Sequence, residues 1–172
     1  MAALLKVDVL LADDDENDVI LIRRAFKHVN CIGRFVVLAD GEQVLEYLQG
    51  HGQYSDRTIW PVPGVVVLDA SMPRLSGIEV LSWLRTEPRF SKLPVVLLSG
   101  GLPPAEQATL IGLQAAFCAK SVDTKESAHL LEEAIINALT LARGGWFRNA
   151  SSAFVNSPFI RANLQEYLYS GS

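Results

Sequence analysis

Residues 65–77, VVVLDASMPRLSG, set four consecutive aliphatics, Val65 to Leu68, against a carboxylate, Asp69. An uninterrupted aliphatic run is what a strand covered on both faces looks like, as in a parallel sheet. An acid at the carboxyl end of such a strand sits where open α/β sheets keep their ligands. Asp also opens turns by bonding its own backbone, so this stretch alone leaves both readings open.

On either side of it, strand-like and helix-like segments alternate. Lys6–Ala12 (KVDVLLA) is a short aliphatic run ending in acid, and Asn17–Val29 carries Val19, Ile22, Phe26 and Val29 at a helical period. Arg34–Ala39 reads as a second strand, and Gly41–Gln49 as a helix with Val44, Leu45 and Leu48 inward. His51–Pro63 reads as a polar loop. After the Val65–Leu68 strand come a helix over Gly77–Thr86, a strand over Pro94–Leu98 and a helix over Pro104–Leu113. A strand over Ala115–Ala119 and a long helix over Thr124–Leu141 complete the series, the helix with a stripe of Leu131, Ile135, Ala138 and Ala142. Five βα units predict an α/β fold: a doubly wound, five-stranded parallel sheet with helices on both faces. Residues 1–143 form that domain, and 144–172 an aromatic-rich tail with one candidate amphipathic helix, Ile160–Leu168, which folds back or pairs with a second copy.

The chain of 172 residues is long enough for one good core, and 49% hydrophobic with 20% charged is an ordinary globular balance. A formal charge of −4 leaves no basic surplus to meet nucleic-acid phosphates, so no nucleic-acid partner is expected. The N-terminus turns acidic before any long apolar run, which predicts neither signal peptide nor membrane anchor. The two cysteines, Cys31 and Cys118, lack metal-ligand spacing and predict buried, reduced thiols in a cytoplasmic protein. His28, His51 and His129 also lack ligand spacing.

The polar residues that end these strands are more informative. The first ends in Asp13-Asp14-Asp15, the third in Asp69, the fourth in Ser99 and the fifth in Lys120. All belong to the carboxyl edge. Clustered carboxylates repel, and a hard divalent cation such as Mg²⁺ relieves that repulsion. A lysine and a hydroxyl beside the metal suit an anion, and the set together describes phosphoryl transfer.

At this point the sequence resembles the receiver domain of two-component response regulators, with the (βα)5 flavodoxin-like receiver fold. The resemblance rests on the acids of LLADDDEND, Asp69 in VVVLDASMPRLSG, Ser99 in PVVLLSGG, and Lys120 in AAFCAK with Phe117 three residues earlier. It covers roughly residues 5–142, and the insert HGQYSDRTIWPVPG resembles stand-alone receivers that partner phytochrome-type sensor histidine kinases. The resemblance implies that Asp69 is the phosphoacceptor, that Asp14 ligates Mg²⁺ directly and Asp13 through water, and that the carbonyl of Ser71 is a third ligand. It implies that Lys120 pairs with the phosphoryl oxygens, and that Ser99 swings to bond one of them while Phe117 rotates inward. Phe117 would pass the change to the face formed by the fourth helix, fifth strand and fifth helix. The implied partners are a sensor histidine kinase or phosphotransfer protein, and a downstream protein target or a homodimer. A signalling domain is implied, not an enzyme with turnover.

Three departures stand out. Receivers usually carry Pro after the lysine, often with a cis bond; here Ser121 follows, and a cis bond before a non-proline costs about 2.5–4 kcal/mol, so trans is expected. Ser76 stands where many relatives have Asp, and Gly100-Gly101 after Ser99 leaves the site open to water. Two alternatives compete. A haloacid-dehalogenase-like Mg²⁺-dependent phosphatase would use the D-x-D of Asp13–Asp15, but it leaves Asp69 without a role and lacks a late acidic pair. A degenerate receiver would keep the fold without phosphorylation, with Ser121 as its support. An EF-hand reading of DDDEND fails, because the central glycine is missing and Arg24 stands where the closing Glu belongs. Asp13 or Asp15 could instead cap the first helix, and at least one of the three leading acids is expected to do so.

Overall fold

A computed structural model describes residues 6–27, 32–101, 103, 109–110 and 112–142. Five strands, β1 (Val7–Ala12), β2 (Ile32–Leu38), β3 (Val65–Asp69), β4 (Val95–Ser99) and β5 (Ala116–Ala119), form one parallel sheet in the order β2-β1-β3-β4-β5. The order reverses between β1 and β3, so the crevice of the doubly wound fold opens at their carboxyl ends. The expected fold class is the one found.

The aliphatic run decides this arrangement because successive strand residues face opposite sides. Leu10, Ala12, Val66, Leu68, Val95 and Leu97 meet one layer, together with Val44 and Leu48 of α2 (Gly41–Gln49) and Val80, Leu81 and Leu84 of α3 (Gly77–Thr86). Val9, Leu11, Val65, Val67, Val96 and Leu98 meet the other, with Ile22 and Phe26 of α1 (Glu16–Phe26) and Leu131 and Ile135 of α4 (Thr124–Leu141). Every residue of β3 is buried, and burial of each large aliphatic contributes about 1.5–3 kcal/mol.

The helix ends follow local chemistry. Asp15 caps α1 by accepting from the Asn17 N–H at 2.8 Å, so one of the three acids does cap the helix. Ser76 and Glu79 form a reciprocal capping box on α3, which shows why a serine serves where relatives carry Asp. Asp123 accepts from the N–H groups of Lys125 and Glu126 at 2.8 Å each, at the start of α4. Helix α2 stops at Gly50, whose φ of +74° is the left-handed conformation glycine takes without strain.

Several boundaries differ from expectation by a residue or two; α1 ends at Phe26 with Lys27 as its C-cap, and residues 28–31 lie outside the described set. On α2, Tyr47 is buried and Leu45 only partly so, which turns the helix toward the insert. That insert is not a simple polar loop. A short 3₁₀ turn, Gly52–Tyr54, leads into an aromatic cluster in which Tyr47, Tyr54 and Trp60 lie 5.1–6.1 Å apart. The Tyr47 hydroxyl donates to the Pro61 carbonyl at 2.8 Å, and Arg57 donates to the carbonyls of Tyr47, Leu48 and Trp60. Arg57 thereby satisfies carbonyls at the end of α2 with a positive charge where the helix dipole favours one.

Most of the predicted helix over 104–113 lies outside the described residues, although Thr109 and Leu110 are helical. The tail, Cys31 and His28 also lie outside them. Cys118 is a buried free thiol as expected, and burial pushes its pKa up to about 12. Among the described residues no peptide bond is cis, as expected at Lys120–Ser121, and no helix is long and apolar enough to cross a membrane.

Gly77 carries the tightest constraint. A Cβ there would stand 2.1 Å from the carbonyl oxygen of Asp69, so only glycine lets the start of α3 close onto the end of β3. Gly77→Ala therefore has to push the helix off the strand, at an expected cost of about 1–3 kcal/mol. Urea unfolding would show this as a lower midpoint, and an unchanged midpoint would contradict the close approach.

Candidate functional site

Four residues predicted from strand ends meet at the crevice. Asp13 follows β1, fixed by its N–H to the Leu38 carbonyl at 3.1 Å, and is buried. Asp69 ends β3 and is also buried, while Asp14 is exposed. Carboxylate oxygens of Asp13, Asp14 and Asp69 lie within 4.8 Å of one another. Lys120 follows β5, its N–H bonded to the Ser99 carbonyl at 3.0 Å. Its long side chain reaches past β4, so its ammonium lies 3.0 Å from Asp13 Oδ2 and 3.0 Å from Asp69 Oδ1.

The balance of charge is unequal. Burial raises the Asp13 carboxyl pKa, and the neighbouring Asp69 charge adds to the rise; the Asp15 N–H and Lys120 oppose it without cancelling it. Burial alone would lower the Lys120 pKa, but the hydrogen bond it donates to Asp18 and the carboxylates of Asp13 and Asp69 beside it outweigh burial and hold the ammonium above its usual range. Lys120 is therefore a fixed positive charge and not a proton donor. Asp13 Oδ1 accepts from the Asp15 N–H at 3.0 Å, whereas Oδ2 is buried and takes no hydrogen bond, its neighbour being the lysine charge.

These features fit a hard divalent cation. The donors are all oxygen, three carboxylates converge, and one buried oxygen has an open hydrogen-bonding position. Ser71 follows Asp69 by two residues, in the loop that leads to Gly77. Arg74 holds that loop: its φ of +64° is strained for a non-glycine, and its side chain pairs with Asp40, the buried cap of α2, and with Glu42 at 3.2 Å.

Among the described contacts, neither predicted switch side chain joins the cluster. The Ser99 hydroxyl is turned to its own loop, donating to the Gly101 carbonyl at 2.9 Å and accepting from the Gly101 N–H at 3.2 Å. Phe117 is 37% exposed on β5. Two charged groups escaped the sequence reading. Asp18, in the first turn of α1, lies 2.6 Å from the Lys120 ammonium; its spacing of four from Asp14 was the available signal. Asp40 ends no acid-rich strand, and its pairing with Arg74 joins residues 34 apart, which no local pattern announces.

Comparison with known proteins bears on the family and the fold. The family model of the response regulator receiver domain matches residues 9–132. The probable methanogenesis regulatory protein FilR2 of Methanothrix harundinacea is 36% identical over 91 residues, which cover 53% of this chain and 56% of that protein. Response regulator Rcp1 of Synechocystis is 30% identical over 91 residues, covering 53% of this chain and 60% of Rcp1. The chain thus spans little more than half the length of these curated relatives. Among solved structures, response regulator RPA3017 in red light signaling of R. palustris superposes with a TM-score of 0.66 at 27% identity, over 73% of this chain and 88% of that one. The Mn²⁺-bound form of Rcp1 shares the fold, with a TM-score of 0.66 at 24% identity over 81% of this chain and 97% of the other.

The raised Asp13 pKa has a consequence for stability. A carboxyl whose folded pKa lies above its unfolded value stabilises the fold at low pH and loses that contribution as pH rises through the folded value. Ionised Asp13 therefore costs stability at pH 7, and without divalent cations Asp13→Asn should melt higher than wild type, the gap narrowing toward pH 3.8. Thermal melts across that range would check this; a lower melting point for Asp13→Asn at pH 7 would contradict it.

Proposed function

The chain belongs to the response regulator receiver domain family, and from that membership we propose that it is a single-domain response regulator phosphorylated on Asp69. The observation that carries this reading is the placement of Asp69: buried at the end of β3, within 4.8 Å of Asp13 and Asp14, with the Lys120 ammonium 3.0 Å away. A carboxylate oxygen of Asp69 attacks the phosphorus of a phosphohistidine on a sensor histidine kinase or phosphotransfer protein. The O–P bond of an acyl phosphate forms as the P–N bond breaks, and the imidazole leaves with that electron pair and takes up a proton. Hydrolysis later reverses the state: water attacks phosphorus, and carboxylate and inorganic phosphate part.

Asp13, Asp14, Asp69 and the Ser71 carbonyl would hold Mg²⁺, which when bound neutralises charge on the transferring group. Lys120 supplies a fixed cation to the phosphoryl oxygens. Ser99 would leave Gly101 to donate to one of those oxygens, and Phe117 would turn inward, since nearly two added charges and three acceptors bias both elements. Signalling then runs through protein contacts, to a downstream target or a second copy, in the cytoplasm, with residues 1–143 as receiver and 144–172 as tail. The domain acts as a stoichiometric acceptor, with self-catalysed transfer and release in place of turnover. The phosphatase alternative gives Asp69 no role, whereas here it lies at the centre of the cluster. The all-oxygen donor set and the charged lysine likewise favour a working receiver over a degenerate one.

Labelling by acetyl phosphate or a phosphorylated kinase should be stoichiometric and dependent on Mg²⁺. Asp69→Asn should retain the wild-type far-UV spectrum and lose labelling entirely. Undiminished labelling of that variant would refute the assignment.

A further inference from the structure

An ammonium carries three N–H donors, and three carboxylates surround that of Lys120. Asp18 Oδ2 lies at 2.6 Å, and Asp13 Oδ2 and Asp69 Oδ1 at 3.0 Å each. Asp13 and Asp69 belong to the proposed metal and phosphoacceptor set. Asp18 does not, yet it makes the shortest of the three contacts. It lies in the first turn of α1 and lines a pocket together with Lys120, Ser121 and Ser127.

We propose that Asp18 is a positioning residue that competes with the phosphoryl group for Lys120 and so limits how tightly the domain holds that group. The proposal rests on Asp69 being the phosphoacceptor. Among the described contacts the ammonium donates its hydrogen bond to Asp18, with Asp13 and Asp69 as ion-pair neighbours at 3.0 Å, so it reaches a phosphoryl oxygen by giving up one of these carboxylates. Asp13 is buried, and stripping its partner leaves a charge away from water. The Asp18 side chain is 30% exposed and regains water when released. Asp18 is therefore the partner given up, and its recapture of Lys120 opposes the phosphorylated state. Its negative charge also stands near the added dianion, which acts in the same direction.

Removing the charge while keeping the shape separates this role from a structural one. Wild type, Asp18→Asn and Asp18→Ser are titrated by calorimetry with beryllofluoride, a mimic of the acyl phosphate, at saturating Mg²⁺; Mg²⁺ alone is titrated in parallel, and thermal melts report folding. Both variants should bind beryllofluoride about fivefold more tightly, the scale of a partly exposed ion pair. Their Mg²⁺ affinity should be equal or lower, since a carboxylate near the metal has been neutralised. A merely structural role would move both affinities together. Equal or weaker beryllofluoride binding by a folded variant overturns the proposal for Asp18 alone. Absence of binding by wild type removes the phosphoacceptor reading of Asp69 and this proposal with it.

Discussion

The arrangement depends on two buried carboxylates, Asp13 and Asp69, held side by side against one ammonium. At an effective dielectric of 20, two unit charges less than 5 Å apart repel by about 3–4 kcal/mol. A domain with one good core cannot spread many such costs through its structure. The sheet accepts the repulsion because strands β1 and β3 end together at the point where strand order reverses, with Lys120 brought across from β5. Gly77 then lets α3 close onto the Asp69 carbonyl, holding the start of that helix against the end of β3. Repulsion is thereby stored next to a position that suits a divalent cation.

Most of the fold was legible because the signals were local. Four aliphatics in Val65–Leu68 specify a two-sided strand, and capping acids and serines mark helix starts that the structure reproduces at Asp15 and Ser76. The candidate site was legible for a related reason: strand-end residues share an edge by topology alone, so Asp13, Asp14, Asp69 and Lys120 could be grouped before any distance was known. What escaped was tertiary. Asp18 matters through an ammonium 102 residues away, and Asp40 through Arg74 in another loop. The insert looked polar because Arg57 and Asp56 are charged, yet Arg57 turns its guanidinium onto the carbonyls that end α2, and Tyr54 and Trp60 pack on Tyr47. Side-chain burial of that kind follows from a third element, which periodicity does not encode.

On the proposed reading, Ser99 and Phe117 would give the site an outlet. One hydroxyl is held by a single loop residue, and one aromatic ring is partly exposed on an edge strand. Neither is fixed by deep packing, so charge added at Asp69 has elements nearby that can change partner at low cost. The rest of the sheet, aliphatic on both faces, provides the rigid frame against which such a change registers.

Whether the stored repulsion serves a cation is answered most directly by calorimetric titration of the metal-free chain with Mg²⁺. The account predicts uptake of a single Mg²⁺ per chain by wild type, weakened when either Asp13 or Asp14 is replaced by Asn. No uptake by wild type, or uptake indifferent to both replacements, would contradict it.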